Sequence, residues 1–260
     1  MLLKTQKGQY YSNKGFEYED VILRLLNSKK SKIYENLIQR IKKKLKIKHI
    51  REIKFEKVFQ PNVINIFNQK SVSKSDIICT INNNISFGIS IKNNKSGFQI
   101  LNTSINSFIN LLNFYKIKYD AYFLVALSKY LGLTKDFNTK KVFFHCLTNK
   151  EKKSMYKVFS NKKFKKVFLN HIWKTNSIKN KKYHSKFLII NNGSFANDNL
   201  INPIVISLND FIKKNIDQKI RISPNGIIHF CGISFNKKGS GSNFSKKHSI
   251  QIKQTSSIIV

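Results

Sequence analysis

Residues 75–92 read SDIICTINNNISFGISIK, two runs of Ile, Cys, Phe and Thr on either side of Asn82-Asn83-Asn84. Runs of this composition around an Asn turn predict an antiparallel β-hairpin, and the rest of the chain must build on the sheet that it starts. With the turn pivoting on Asn83 and Asn84, Asp76 is expected opposite Ile91 or Lys92. The side-chain period of two puts Ser90 and Lys92 on one face of their strand and Ile89 and Ile91 on the other. An acid, a hydroxyl and an amine then converge on one patch flanked by apolar residues, a candidate active site.

The segment KGFEYEDVILRLLN, from Lys14, predicts a helix, after a polar and poorly fixed arm at residues 1–13. On a helical wheel Tyr18, Val21, Ile22, Leu25 and Leu26 form an apolar stripe, and Glu17, Asp20 and Arg24 form the solvated face. Glu19 falls beside Leu23 and Leu26 at the margin of the stripe, where a carboxylate needs a partner or a purpose. Ser31 is placed to cap a second helix reaching about Lys48, with Ile33, Leu37, Ile41 and Leu45 on one face. REIKFEKVFQ (51–60) predicts a strand that Pro61 stops, and residues 61–74 an irregular loop or a short helix.

After Lys92 come the loop NNKSG and a helix from about Asn102 to Lys116, burying Ile105, Phe108, Ile109 and Leu112. YDAYFLVALSKYL (119–131) reads as a fully buried strand. Strand, helix and apolar strand form a βαβ unit, which makes the two strands parallel and the sheet mixed. The Lys-rich stretch 141–182 interleaves Phe143, Phe144, Tyr156, Phe159, Phe164, Phe168 and Trp173, and a core-facing aromatic stripe on helices is favoured over base-stacking rings. KFLIINN (186–192) is a further strand. A short helix follows between Pro203 and Ile216, capped by Ser207 or Asn209.

The C-terminal part predicts a turn at Pro224-Asn225-Gly226, a strand IIHFCGISF, a basic loop KKGSGSNFSKK and a returning strand HSIQIKQ. GSGS lacks the downstream Gly-Lys-Ser/Thr of a nucleotide-binding P-loop. A basic Gly/Ser loop suits a phosphate contact, or equally a flexible hairpin tip. With neither internal repeat nor linker visible, residues 1–260 read as one domain, a core over about 14–130 and a helical and β-rich elaboration over about 131–260.

Charge narrows the function. Against 13 Asp and Glu stand 48 Lys and Arg, a formal charge of +35. An AT-rich coding bias explains abundant Lys, Asn and Ile but leaves the shortage of acids unexplained. A field this positive attracts polyanions, because each phosphate contact releases counterions, and nucleic acid is the favoured partner. No long basic amphipathic helix supports a membrane surface instead. Cys79, Cys146 and Cys231 are scattered and odd in number, which argues against a disulfide framework or a zinc site. The N-terminus has no apolar signal-peptide region, and the longest apolar run, Ala121–Leu127, is far short of a membrane span. A soluble cytoplasmic protein is expected.

Hydrolysing a phosphodiester calls for a divalent metal and a cation near the attacked phosphate. Mg²⁺ accepts as few as one or two protein carboxylates, and Lys supplies a point charge. Asp76 and Lys92 on adjacent strands meet that requirement. The order of a helix with Gly-x-x-x-Glu, an Asp, a hairpin, an x-x-Lys strand, a helix and a strand resembles the PD-(D/E)xK nucleases, and among them the type II restriction endonucleases. Gly15 to Glu19 matches the first-helix motif, SDII holds the family Asp at Asp76, and GISIKNN matches the strand ending in the family Lys at Lys92. The segment ISFNKKGSGS…IQIK resembles a basic Gly-rich segment near the end of several such enzymes, less specifically. The clear resemblance covers about residues 14–130.

The resemblance implies an α/β fold, a restriction-endonuclease-like mixed sheet flanked by helices with a C-terminal β-rich elaboration. It also implies Mg²⁺-dependent cleavage of double-stranded DNA at a short specific site. One position departs from the family pattern: Ser90 stands where the family has its second acid, two residues before Lys92. Some members supply that acid from the first helix, and Glu19 is the matching residue, already singled out by the wheel. Asp76 and Glu19 are thus the expected metal ligands. Lys92 is expected to polarise the attacking water, and Ser90 to lie near the metal-bound waters. Asn93, Asn94, Lys95, Lys237 and Lys238 are candidate DNA contacts. A homodimer and a cognate DNA methyltransferase in the same system are the partners such enzymes imply. Two rival readings stay open, a structure-specific nuclease like the Holliday-junction resolvases and a non-catalytic DNA-binding protein with a decayed site.

Overall fold

The computed structural model describes residues 4–58, 62–72, 75–92, 98–133, 144–174, 177–190, 203–238 and 249–254. The chain forms two compact units that interleave along the sequence. Residues 1–95, 173–211 and 258–260 make the first, and 96–172 and 212–257 the second.

In the first unit α1 (Lys4–Asn27) and α2 (Lys32–Leu45) precede β1 (Ile53–Lys57). The helix begins at Lys4, so most of the expected N-terminal arm is helical; no proline interrupts it, and its Lys and Gln are good helix formers. Tyr18, Ile22 and Leu26 are fully buried, as the wheel placed them. Ser31 caps α2 by accepting a bond from the Tyr34 N–H at 3.3 Å. The stretch expected to be a loop or short helix after Pro61 instead forms a small hairpin, β2 (Asn62–Ile64) with β3 (Lys70–Val72).

The main hairpin is β4 (Ile77–Ile81) and β5 (Ile85–Lys92) around Asn82, Asn83 and Asn84. Asn82 and Asn83 take the left-handed conformation, with φ of 49° and 59°, which Asn tolerates better than most residues. The Asn82 Oδ1 accepts from the backbone N–H groups of Arg51 and Glu52, at 2.9 and 3.1 Å. All three Asn therefore lie in the loop, Ile77 faces Ile89, and the register is displaced from the expected one.

The five-stranded sheet runs in the order β1-β4-β5-β7-β8, with β7 (Ser185–Ile190) and β8 (Ile204–Ser207). Only the β5–β7 contact is parallel. A mixed sheet was expected, but the parallel partner of β5 is KFLII, not residues 119–131. One face, carrying Ile77, Cys79, Ile81, Phe87, Ile89, Ile91, Phe187 and Ile189, packs with α1 and α2 into one buried cluster. Each fully buried aliphatic or aromatic side chain there contributes about 1.5–3 kcal/mol.

The second unit holds β6 (Gln99–Thr103), α3 (Ile105–Phe114) and α4 (Ala121–Leu131). Residues 119–131 are thus a helix rather than a strand. Asp120 caps it by accepting from the Phe123 N–H at 2.9 Å, and Gly132 ends it with φ 69°. The buried residues Phe123, Ala126, Leu127, Tyr130 and Leu131 repeat at the helical period. Then follow α5 (Asn149–Ser160) and α6 (Lys162–Lys174), whose Phe159, Phe164 and Phe168 are buried against Phe108 and Phe235. These rings are core, as the helical stripe predicted. Phe143 lies outside the described residues.

α7 (Leu208–Asn215) leads into β9 (Arg221–Ile222), β10 (Ile228–Phe230), β11 (Ile233–Lys237) and β12 (Ile250–Gln254). The run IIHFCGISF is not one strand: it folds back at Cys231 and Gly232, with φ of 53° and 74°. Positive φ at both central residues is the tight-hairpin geometry. The resulting antiparallel sheet has the order β6-β12-β11-β10-β9. Among the described residues, no helix is long and apolar enough to cross a membrane.

Candidate active site

Asp76 precedes β4 and joins it to β5 through its backbone N–H, which donates to the Ile89 carbonyl at 3.0 Å. The register brings Asp76, Ser90 and Lys92 together at the end of the hairpin away from its turn. The Asp76 Oδ2 accepts from the Ile91 N–H at 2.5 Å and lies 3.8 Å from the Lys92 Nζ. Lys92 in turn donates to the Ile91 carbonyl at 2.9 Å. Both side chains are largely withdrawn from solvent.

Glu19, on α1, lies near enough for the charges of Asp76 and Lys92 to act on it. Its pKa is pushed up to about 7, first by burial and then by the negative charge of Asp76, while Lys92 and Lys57 pull it down. The Asp76 carboxyl is also raised by burial, against the opposing pull of Lys92 and the Ile91 N–H. Lys57 is itself ion-paired with Asp20. Two carboxylates and one ammonium therefore share a half-buried space, a net charge of −1 when all are ionised. Burial that raises both acids marks a site short of positive charge.

The donors fit a divalent cation. They are hard oxygens, two in number, and among the described residues no group of three or more His, Cys, Asp or Glu could hold a metal. Mg²⁺ keeps several waters and accepts such a sparse set, whereas a structural Zn²⁺ or a Ca²⁺ cage needs more protein ligands. A divalent ion would take the net charge from −1 to +1, suited to a phosphodiester.

Ser90 is engaged with the neighbouring strand. Its hydroxyl is buried and lies 3.1 Å from the Ser185 Oγ, which lies 2.8 Å from the Ser75 Oγ. Ser75 donates to the Tyr183 carbonyl at 2.6 Å. This chain of hydroxyls ties the residue before Asp76 and the residue two before Lys92 to the parallel strand β7. No sequence signal joins residues 75 and 185, which only the fold brings together. Ser75 also occupies the space above Gly88, where an added Cβ would fall 2.0 Å from its Oγ. Gly88→Ala is accordingly expected to displace Ser75 and with it Asp76, costing about 1–3 kcal/mol; a lowered midpoint in urea unfolding checks it.

Of the expected DNA contacts, Asn93, Asn94 and Lys95 lie outside the described residues. Lys237 ends β11 opposite Ile250, and the Lys238 N–H donates to the Ser249 carbonyl at 2.8 Å, both within the second unit.

A pH dependence follows from Glu19. Its carboxyl ordinarily loses its proton near 4.5 but keeps it to about 7 in the folded chain. Between those values the native state binds more protons than the unfolded one, so stability falls with rising pH and levels off above about 7. Urea midpoints of the metal-free protein from pH 4.5 to 8 are expected to show that decline, and Glu19→Gln to flatten it.

No protein-family model matches the chain, and no curated protein matches it in sequence. Among solved structures it is similar to the crystal structure of the restriction endonuclease MspI in complex with its cognate DNA, with 15% identity and a TM-score of 0.59. The likeness covers 97% of this chain and 93% of that one. The fold is restriction-endonuclease-like: a mixed five-stranded sheet flanked by helices, with a β-rich C-terminal part.

Proposed function

We propose that this chain is a Mg²⁺-dependent endonuclease of the type II restriction class, hydrolysing phosphodiester bonds in double-stranded DNA at a short specific site. The observation that carries the reading is the Asp76–Lys92 pair, 3.8 Å apart at the end of the hairpin, with the α1 carboxylate Glu19 near enough to feel both charges. The fold it shares with an endonuclease solved on its cognate DNA, and a charge of +35, support the same substrate. Both compact units belong to one nuclease in this reading.

Asp76 and Glu19 would hold the ion, which supplies Lewis-acid neutralisation of the scissile phosphate. The Ile91 N–H fixes the Asp76 carboxylate, leaving its other oxygen for the ion. The Lys92 Nζ would donate hydrogen bonds toward the attacking water and the phosphate oxygen on which charge gathers. Glu19 must lose its proton before it can bind a cation, so Mg²⁺ affinity is expected to rise with pH up to about 7. Ser90 acts through Ser185, holding the Lys92 strand in place rather than touching the reacting groups.

The reading carries a homodimer acting on a palindromic site and a cognate methyltransferase. Incubation with linear DNA and Mg²⁺ tests it: discrete fragments support it, cutting confined to four-way junctions supports a resolvase, and binding without cutting supports a decayed site.

A further inference from the structure

The second sheet ends in a basic cleft that the cleavage chemistry does not use. Arg221 on β9 stands directly across from His229 on β10. Beside them, an open cleft of about 370 Å³ is lined by Gln218, Lys219, Arg221, His229, Phe230 and Gly232. That volume is in the range of small-ligand sites. Three of its eight lining residues are Lys, Arg or His, and no carboxylate among the described residues lines the cleft. The nearby Asp217 is turned to Lys162, 3.9 Å away. Neither Lys219 nor Arg221 has an ion-pair or hydrogen-bond partner through its side chain among the described residues. Two cations without partners, and no carboxylate beside them, give the cleft a positive field suited to an anion.

We propose that Lys219, Arg221 and His229 form a phosphate-binding site on the β9–β10 edge of the second unit. The guanidinium offers a fork of donors matched to two oxygens of a tetrahedral oxyanion. Lys219 adds a point charge, and the imidazole adds a further positive group when protonated. Burial and the Arg221 charge lower the His229 pKa, and a bound oxyanion reverses that balance. The phosphate comes from a polynucleotide backbone or from a free phosphate or mononucleotide. All the residues involved lie in the second unit, so the site does not rest on the cleavage reading.

The test follows the His229 ring signals by NMR on the full chain, assigned by their loss in His229→Gln. Inorganic phosphate and a short DNA duplex are titrated separately without Mg²⁺, with sodium chloride at matched ionic strength as the reference. The expected result is a saturable shift of the His229 signals that Arg221→Gln weakens about tenfold or more. A shift with free phosphate identifies a free oxyanion site, and a shift with duplex alone identifies a backbone contact; either supports the proposal. Arg221 is an exposed position on a two-residue edge strand, so unchanged signals elsewhere show that the variant folds. Silence of His229 under both probes overturns the proposal, as does a shift equal to that with sodium chloride or equal in Arg221→Gln. Cleavage tests of Asp76 and Lys92 do not bear on this outcome.

Discussion

Lys92→Ala is expected to slow Mg²⁺-dependent DNA cleavage by about a hundred- to a thousandfold, the loss usual when one group aimed at developing charge is removed. The ammonium sits 3.8 Å from the Asp76 carboxylate, and no other cation is placed there by the β5 strand. Its removal withdraws the charge that a phosphate in transition needs. It also leaves Asp76 with the Ile91 N–H alone to offset burial, so the Asp76 pKa rises further from a value that is already raised. Lys92→Arg keeps the charge but replaces a compact point with a planar fork, and most of the rate is expected to be lost with it. Duplex affinity without Mg²⁺ is expected to change little for either variant, because one Lys among 48 basic residues contributes a small part of the polyanion field. Single-turnover cleavage beside equilibrium binding separates the two effects.

Glu19→Gln is expected to move stability and activity in opposite directions. The carboxylate is held against burial and the Asp76 charge, and its pKa is pushed up to about 7. Replacing it by a neutral isostere relieves that repulsion. Discounted for partial exposure, the gain is about 1–2 kcal/mol in the metal-free protein above neutral pH. The same change leaves the ion with one carboxylate. Cleavage is expected to fall by about a hundredfold or more at fixed Mg²⁺, with partial recovery as Mg²⁺ rises. A residue kept for the fold alone would lose stability when replaced. Urea unfolding and Mg²⁺-titrated cleavage on one preparation show which pattern holds.

The hairpin was legible because Ile, Phe and Asn leave little alternative around three consecutive Asn. Its register was not, since sequence alone does not say how many of the three the loop takes up. The α1 wheel located both the core stripe and the misplaced Glu19, because a long amphipathic helix encodes its burial in its period. Residues 119–131 deceived for the converse reason. A run apolar on nearly every side hides its period, and the signals that decide it are the caps, Asp120 and Gly132, with the eleven residues of the helix between them. That error also misplaced the parallel partner of β5. The true partner lies beyond the whole of residues 96–172, a separation that no local pattern encodes. The Ser75–Ser185–Ser90 chain was illegible for the same reason, since its contacts join residues 110 and 95 apart in sequence.

Supercoiled plasmid offered to the wild-type chain and to Asp76→Asn, each with and without Mg²⁺, tests the central claim most directly. Asparagine keeps the size of the side chain and an acceptor for the Ile91 N–H but removes the charge that would hold the ion. The wild type is expected to cut to discrete products only when Mg²⁺ is present, and Asp76→Asn to bind the same DNA without cutting it. Cleavage by Asp76→Asn at the wild-type rate, or a wild type that binds DNA and never cuts it with Mg²⁺, would contradict the account.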